Sequence, residues 1–248
     1  MLEVKKKKVY LLKKVLNGLK LTPRAWYSRI DEHLLKHDFK KSLSESTLYT
    51  RNSNSDYIVV SLHVDDLFVT GNNPRMIGQF KAEIIKVFEM TDLSEMSYFL
   101  GMEVQQNQRG IFIDEQKYAK EILRKFKMEE CKSMNMPMNL KEKFCKEDGA
   151  DKVDEAIYRS LIGYLMYLTT TRSDIMHAIS LLSRFMHCAS EVHFKAAKRI
   201  VRYIKGTLSG IQFNYVENFE LQGYVDSDWV ESFDDMKSTS GYCFSFGS

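Results

Sequence analysis

The first regular pattern in the chain is a set of apolar residues four positions apart. Trp26, Ile30 and Leu34 would form one stripe on a helix. Thr22 and Pro23 come just before this stripe, and they are favourable as the N-cap and the first residue of a helix. The pattern therefore predicts an amphipathic helix that begins at Thr22.

Residues 57–64 and 67–71 (YIVVSLHV and LFVTG) are runs of β-branched and aromatic residues on either side of an Asp-Asp pair. Such runs predict the two strands of a hairpin. The Asn-Pro pair at 73–74 predicts the start of another helix. The apolar side of that helix would contain Ile77, Phe80, Ile84 and Phe88.

The second half of the chain shows both kinds of period. Residues 97–114 predict two short strands around a turn near Arg109 and Gly110. Residues 131–151 have no clear period and many charges, which indicates a linker. Helical patterns cover 116–127, 155–168, 175–186 and 193–205, and strand-like patterns cover 210–216, 219–229 and 240–248. The mixture predicts an α+β fold.

The composition is that of a folded protein without strong bias. Of 248 residues, 44% are hydrophobic, and the net charge is +3. No apolar run approaches the roughly 20 residues of a membrane-spanning helix, and the lysine-rich start lacks the apolar segment of a secretory signal. The four cysteines form no CxxC pair, which favours reduced thiols in an intracellular protein, cytoplasmic or nuclear.

Positive charge is concentrated in two stretches. One runs from residue 5 to residue 29, and the other is KAAKRIVRYIKGT, residues 195–207. Clustered cations can bind phosphate groups by releasing counterions, but they can equally form the solvated face of a helix. Composition does not decide between these two interpretations.

Asp65 and Asp66 are the most informative polar pair in the chain. Carboxylates beside buried surface lose hydration, so two of them between apolar strands are costly. A hairpin turn could explain them, although Asp-Asp suits the favoured two-residue turns poorly. The functional explanation is that they bind Mg²⁺, which prefers hard oxygen ligands. The dipeptide alone leaves both explanations open.

The residues around this pair narrow its interpretation. His63, Val64, Asp65 and Asp66 resemble the YxDD signature of reverse transcriptases, and SLHVDDLFVTGNN (residues 61–73) is similar to its form in copia-type retrotransposons. Further blocks resemble the same family in the same order, at 12–34, 88–106, 110–138, 158–186, 193–207 and 223–244. From residue 9 onward the chain is thus similar to a copia-type Pol polyprotein, from its reverse transcriptase into the start of its ribonuclease H region.

The resemblance implies RNA-directed DNA synthesis, in which a deoxynucleoside triphosphate (dNTP) extends the 3′-hydroxyl group of a primer. Asp65 and Asp66 would be the catalytic residues and would bind two Mg²⁺ ions. The primer grip, which positions the primer terminus, would consist of Phe99, Leu100, Gly101 and Met102. A half-buried structural hairpin would show the same pattern. The residues on the template and nucleotide side would be Lys20, Arg24 and His63.

The resemblance also divides the chain into three regions. Residues 1–133 would hold a partial palm, the primer grip and the thumb, residues 134–208 a linker and helical connection, and residues 209–248 the start of an RNase H-like sheet. Asp226 in the last region would be a metal ligand. The implied partners are an RNA template, a DNA primer and the rest of a Pol polyprotein, without a membrane. The residues that would contact the nucleic-acid backbone are Lys195, Arg199 and Arg202.

Several positions depart from the family pattern. His63 stands where tyrosine is usual, Leu21 where glutamine is usual, and Ser173 where proline is usual. The family block that supplies a third aspartate is expected before residue 1, and the rest of the ribonuclease H site beyond residue 248. We therefore expect little or no polymerase activity, and no ribonuclease H activity, from this chain alone. Two alternatives stay open: a non-catalytic nucleic-acid-binding protein, and an interaction protein that assembles with an intact polymerase.

Overall fold

The structure, a computed structural model, describes residues 22–139, 142–207, 209–216, 220–227, 234, 238 and 240–246. The chain divides between Ser94 and Glu95 into two compact units. We call residues 1–94 the N-terminal unit and residues 95–248 the C-terminal unit. Lys20, which the resemblance places on the template side, lies outside the described residues.

The N-terminal unit contains a four-stranded antiparallel sheet and two helices. The strands have the order β1-β2-β3-β4, so every neighbour in the sheet is also a neighbour in the sequence. The elements are α1 (Thr22–Lys36), β1 (Lys40–Lys41), β2 (Leu48–Ser53), β3 (Asp56–His63), β4 (Asp66–Gly71) and α2 (Pro74–Phe88). The two predicted helices and the predicted hairpin are confirmed.

One face of this sheet and both helices form the N-terminal core. Ile58, Val60 and Leu62 alternate along β3, so their side chains lie on the same face, and all three are buried. The helices contribute Ile30, Leu34, Phe80 and Ile84 to the same buried cluster. Because each fully buried aliphatic side chain contributes roughly 1.5–3 kcal/mol, this cluster fixes both helices against the sheet.

The limits of α2 follow from its sequence. The Asn73 side chain caps the helix by accepting hydrogen bonds from the backbone N–H groups of Arg75 and Met76, at 2.9 and 3.3 Å. Pro74 occupies the first helical position, where a missing N–H group costs nothing. The helix ends at Glu89, whose φ of 53° is left-handed.

The C-terminal unit contains a second four-stranded antiparallel sheet, with the order β5-β6-β7-β8. Its strands are β5 (Tyr98–Phe99), β6 (Met102–Asn107), β7 (Gly110–Asp114) and β8 (Ile211–Asn214). The predicted hairpin near Arg109 and Gly110 is confirmed as β6 and β7, and the two-residue strand β5 adds a tight turn before it. β8 follows much later in the chain and pairs with β7, which the sequence did not predict.

Four helices form the main core of the C-terminal unit. They are α3 (Gln116–Lys125), α4 (Glu155–Leu168), α5 (Ser173–Ser183) and α6 (Glu191–Gly206), and they confirm the four helical patterns of the sequence. Each helix contributes its apolar stripe to one buried cluster, whose members include Ile122, Leu161, Ile179 and Ile200.

The segment predicted to be a linker, residues 131–151, contains no helix or strand among its described residues. It is packed nevertheless, because Cys131, Met138 and Phe144 contact the core formed by the helices. This segment therefore covers the helices and is not a free tether.

The last described strands, β9 (Leu221–Ser227) and β10 (Ser240–Phe246), form a separate antiparallel hairpin. Every side chain of β9 is exposed. Together the elements confirm an α+β protein, while the regional boundaries at 133/134 and 208/209 stay predictions. In the part of the chain that the structure describes, no helix has the length and apolarity needed to cross a membrane.

Candidate functional site

Asp65 and Asp66 lie at one end of the hairpin formed by β3 and β4. His63 pairs with Asp66, so the two-residue loop consists of Val64 and Asp65, one position earlier than the sequence predicted. This register sets Leu62 opposite Leu67 in the core. A loop at residues 65 and 66 would instead move Leu67 out of this pair, and cross-strand apolar pairs favour the observed register.

Val64 has a left-handed backbone conformation, with a φ of 53°. Two-residue hairpin loops favour a positive φ at their first position, because that twist matches the twist of the strands. A β-branched residue with a positive φ is strained, and such strain costs on the order of 1–3 kcal/mol. The side chain is 64% exposed, so little burial offsets this strain. The surrounding ladder therefore holds a strained loop beside the two aspartates.

Both aspartates are exposed at this end of the hairpin. Carboxylate oxygens are hard ligands of the kind that Mg²⁺ prefers, so the chemistry of the pair fits Mg²⁺. Among the described residues, no third His, Cys, Asp or Glu side chain groups with them closely enough to hold a metal ion. The pair can supply two ligands of such an ion, and water or substrate oxygens would have to supply the others.

The predicted primer-grip residues form a tight hairpin in the C-terminal unit. Phe99 in β5 pairs with Met102 in β6, and Leu100 and Gly101 form the turn between them. Leu100 and Gly101 both have positive φ, at 47° and 86°. The Tyr167 hydroxyl group donates a hydrogen bond to the carbonyl oxygen of Leu100. The turn is thus connected to α4 as well as to its own strands.

A second connection joins this hairpin to α3. The carboxylate of Glu103 in β6 accepts a hydrogen bond from the backbone N–H group of Lys117, at 3.1 Å, and lies 2.9 Å from its ammonium group. The hydrogen bond from the Lys117 side chain lowers the pKa of Glu103. The charged pair is therefore maintained at neutral pH, and it helps to hold the predicted grip against the start of the predicted thumb.

The residues predicted to face the template and nucleotide lie in the N-terminal unit. Arg24 is exposed in the first turn of α1, and its carbonyl oxygen accepts a hydrogen bond from the Ser28 hydroxyl group, at 3.0 Å. His63 is the last residue of β3, next to the loop. The guanidinium group of Arg24 is therefore on the surface, where it could reach a phosphate group.

The basic side of α6 contacts the segment at residues 131–136. Arg199 Nε donates to the Met136 carbonyl oxygen at 3.2 Å, and Arg202 Nε donates to the Lys132 carbonyl oxygen at 2.7 Å. Lys195 is exposed and lies near Glu191. Arg199 and Arg202 thus have a structural role that the sequence did not reveal, although each guanidinium group has further N–H donors.

Asp226 lies in β9, opposite Gly241 of β10, and is exposed. Its predicted role as a metal ligand would require acids from outside this hairpin. Within the described residues, Asp226 belongs to no group of three or more side chains able to bind a metal ion.

A Ser-His-Asp cluster at the start of α6 looks like a catalytic triad but caps the helix. The Ser190 hydroxyl group accepts from the His193 backbone N–H group, and His193 Nδ1 accepts from the Ser190 N–H group, at 3.1 Å. The hydroxyl group also contacts Asp148. His193 is fully buried and stacks on Phe185 with ring centroids 4.0 Å apart. These contacts explain the cluster as a capping box.

The sequence did not predict another group of possible metal ligands. His33, His37 and Glu83 have ligand atoms within 4.8 Å of one another. The two histidines are four positions apart, a spacing that would place them on one face if the first helix continued to His37. In the structure α1 ends at Lys36, and His37 lies in the turn that follows it. Glu83 comes from α2, so no sequence pattern linked it to them.

Comparison with known proteins connects these features to a family. A family profile described as "Reverse transcriptase (RNA-dependent DNA polymerase)" matches residues 1–140, which is more than half of the chain. The retrovirus-related Pol polyprotein from transposon RE1 of Arabidopsis thaliana is 35% identical over 95% of this chain. The corresponding polyprotein from transposon TNT 1-94 of Nicotiana tabacum is 33% identical over 98% of the chain. No solved structure matches.

The lengths of these relatives differ widely. This chain spans 16% of the first polyprotein and 19% of the second. It also matches an uncharacterised mitochondrial protein of Arabidopsis thaliana with 34% identity, over 75% of this chain and 78% of that protein. The chain therefore belongs to the reverse transcriptase (RNA-dependent DNA polymerase) family and corresponds to part of the Pol polyproteins of copia-type transposons.

Proposed function

We propose that this chain is the polymerase region of a transposon Pol polyprotein, and that its reaction is RNA-directed DNA synthesis. The observation that carries the proposal is the exposed pair of Asp65 and Asp66 beside a strained loop, within the residues that match the family. The substrates would be a dNTP, a DNA primer and an RNA template.

In this proposal Asp65 and Asp66 bind Mg²⁺, which when bound activates the primer hydroxyl group and offsets phosphate charge. The protein's part is to hold both carboxylates in place. The ladder between β3 and β4 fixes the loop at one end, and Leu62 and Leu67 anchor that ladder in the core. His63, paired with Asp66, would lie beside the nucleotide.

The remaining predicted sites extend the proposal. The turn at Leu100 and Gly101 would position the primer terminus, and α3 would begin the thumb that follows the duplex. Lys195 would contact the phosphate backbone, together with the remaining N–H donors of Arg199 and Arg202. Asp226 would belong to the incomplete ribonuclease H site.

A second candidate function is nucleic-acid binding without chemistry. It is favoured by the lack, among the described residues, of a third ligand beside Asp65 and Asp66. Two carboxylates would hold metal ions weakly, so we expect slow extension at most from this chain. The exposed cations Arg24 and Lys195 could still bind phosphate groups.

The test is Mg²⁺-dependent primer extension on an RNA template by the 248-residue chain. The double variant Asp65→Asn/Asp66→Asn removes both charges at the loop. Asp38→Asn is the matched control, because it removes one charge in the same unit at a left-handed position that asparagine tolerates. Circular dichroism establishes that all three proteins are folded, and filter binding measures duplex affinity at several salt concentrations.

We expect at most slow extension by the unmodified chain, the same rate of extension by Asp38→Asn, and none by the double variant. Equal extension by the double variant would show that these aspartates are not the metal ligands. Salt-dependent duplex binding without extension in any of the three proteins would favour the second candidate function.

A further inference from the structure

Three potential metal ligands converge between α1 and α2, inside the N-terminal unit. Glu83 Oε1 lies 2.8 Å from His37 Nε2 and 3.2 Å from His33 Nε2. The two imidazole rings are in contact, with their centroids 4.1 Å apart and their planes inclined by 33°. Two nitrogen atoms and one carboxylate oxygen thus point at one small volume.

The hydrogen bond at Nδ1 of His37 determines what its Nε2 atom can bind. His37 Nδ1 lies 2.7 Å from the His33 carbonyl oxygen, and because a carbonyl oxygen can only accept, Nδ1 must carry a hydrogen atom. The Nε2 atom, which faces a carboxylate oxygen, then needs either a second proton or a metal ion. A backbone acceptor on the opposite ring nitrogen is the arrangement that orients histidine ligands in metal sites.

His33 presents a second nitrogen atom to the same point. Its Nε2 atom is buried and makes no hydrogen bond, although Glu83 Oε1 is close. The side chain is 14% exposed and packs edge-on against Phe88, with ring centroids 5.2 Å apart. A buried nitrogen atom without a hydrogen-bond partner is costly, and a metal ion would remove that cost.

We propose that His33, His37 and Glu83 form a site for a first-row transition metal ion, with Zn²⁺ the preferred ion, distinct from the Mg²⁺ of the aspartate pair. The site does not depend on the proposed polymerase function. It would connect α1 to α2 and stabilise the N-terminal unit.

The type of ligand selects the type of ion. Two imidazole nitrogens and one carboxylate are a known zinc set, whereas Mg²⁺ favours oxygen ligands alone. With ligands about 2.0–2.2 Å from the ion, tetrahedral geometry places them roughly 3.3–3.6 Å apart. The distance from Glu83 to His33 is close to this range, whereas the distance from Glu83 to His37 is shorter and would have to lengthen when an ion binds. The side chains of His37 and Glu83 are 41% and 36% exposed, which gives an ion access from solvent and leaves room for a water ligand.

The experiment is metal binding by the metal-free 248-residue chain. Zn²⁺ affinity is measured by competition with a chromophoric chelator, and Co²⁺ replaces Zn²⁺ as the spectroscopic probe. None of the three proposed ligands is a cysteine, so a Co²⁺ complex at this site shows visible ligand-field bands without the near-ultraviolet charge-transfer band of a thiolate. One ion should bind per chain, and Zn²⁺ should raise the thermal unfolding temperature.

The variants His37→Gln and Glu83→Gln each remove one ligand at a partly exposed position. Both should weaken Zn²⁺ binding at least about tenfold and abolish the thermal shift. The control His177→Gln changes an exposed histidine of α5 and should bind like the unmodified chain. Asp65→Asn/Asp66→Asn should also bind Zn²⁺ normally, which separates this site from the polymerase proposal.

Two results would overturn the proposal. One is a Co²⁺ spectrum of the unmodified chain that shows thiolate ligation or no binding, a measurement that requires no variant to fold. The other is Zn²⁺ affinity that stays the same in His37→Gln and Glu83→Gln. In either case a proton, and not a metal ion, joins His37 to Glu83.

Discussion

The Tyr167 hydroxyl group donates a hydrogen bond to the carbonyl oxygen of Leu100, which joins α4 to the turn between β5 and β6. Directly after Leu100, Gly101 has a φ of 86°, and a Cβ atom there would lie 2.5 Å from the Tyr167 oxygen. Both the backbone conformation and the hydroxyl group therefore require glycine at position 101. This turn is the predicted primer grip, so its shape depends on a helix that lies far away in the sequence.

Gly101→Ala should lower the free energy of unfolding by about 1–2 kcal/mol, because alanine is strained at positive φ and meets Tyr167. The measurement is urea unfolding followed by circular dichroism. Adding Tyr167→Phe should restore part of the loss by removing the clash. Gly163→Ala is the control, because Gly163 lies in α4 with nothing near its missing Cβ, and there alanine should be neutral or stabilising. Equal effects at both glycines would contradict the role of Tyr167.

Glu115 should make stability depend on pH. It is buried, its Oε1 atom has no hydrogen-bond partner, and its Oε2 atom accepts from the Thr171 hydroxyl group at 2.7 Å. Burial raises the pKa of Glu115 above its usual value of 4.5, and the nearby Asp114 adds to this, while the bond from Thr171 opposes it. Between the unfolded and the folded pKa the folded chain holds the extra proton. The free energy of unfolding therefore falls as pH rises through this range.

Glu115→Gln has no such proton to lose, so its stability should not show this fall. At pH 8 it should exceed the unmodified chain by about 1 kcal/mol. Urea unfolding from pH 4 to pH 8 measures the difference. Glu121→Gln, which changes an exposed glutamate of α3, should keep the pH dependence of the unmodified chain. Parallel curves for Glu115→Gln and the unmodified chain would exclude Glu115 as its source.

Arg172→Met should destabilise the C-terminal unit. The Arg172 side chain is 5% exposed and donates to both carboxylate oxygens of Asp174, at 2.9 and 2.7 Å, and to Thr207. Burial raises the pKa of Asp174, but the bonds from Arg172 and Tyr203 outweigh burial and hold it below its usual value. Without the guanidinium group a partly buried carboxylate loses its cation, and the loss should be about 3 kcal/mol.

Thermal and urea unfolding measure this loss, which should be greatest above the unfolded pKa of Asp174. It should shrink as the pH falls through the folded pKa, because protonation removes the charge. Arg124→Met is the control. The Arg124 side chain is 72% exposed and 3.7 Å from Glu129, so its removal should cost less than about 1 kcal/mol. A loss of similar size in both variants would argue against a buried ion pair.

Val64→Gly should increase stability, because glycine adopts a φ of 53° without strain. The expected gain is about 0.5–1 kcal/mol. It is the backbone strain that is relieved in the folded state minus the cost of the greater conformational entropy of glycine in the unfolded chain. Val87→Gly provides the opposite case, since Val87 is 38% exposed in α2 and glycine weakens a helix. Urea unfolding of both variants measures the change in the free energy of unfolding, which should be a gain in Val64→Gly and a loss in Val87→Gly. A loss of stability in Val64→Gly would show that the valine side chain contributes more than its strain.

The sequence alone predicted those helices and strands that are specified by residues close to one another in the chain. Apolar spacing and the Asn-Pro pair located α1 and α2, and runs of β-branched and aromatic residues located the hairpin of β3 and β4. These predictions succeeded because helix caps and strand-forming runs depend on residues within a few positions of one another. The family resemblance rests equally on short blocks of adjacent residues, and the comparisons confirmed it.

Contacts between distant residues were decided only by the tertiary structure. β8 pairs with β7 across four helices, and Arg199 and Arg202 donate to backbone carbonyls at residues 131–136, where the sequence indicated a basic face. Periodicity shows which face of an element is polar, but it does not show which other element that face meets. His33 in α1 and His37 just after it are close in the sequence, yet only the packing of α1 and α2 on a common sheet brings Glu83 to them.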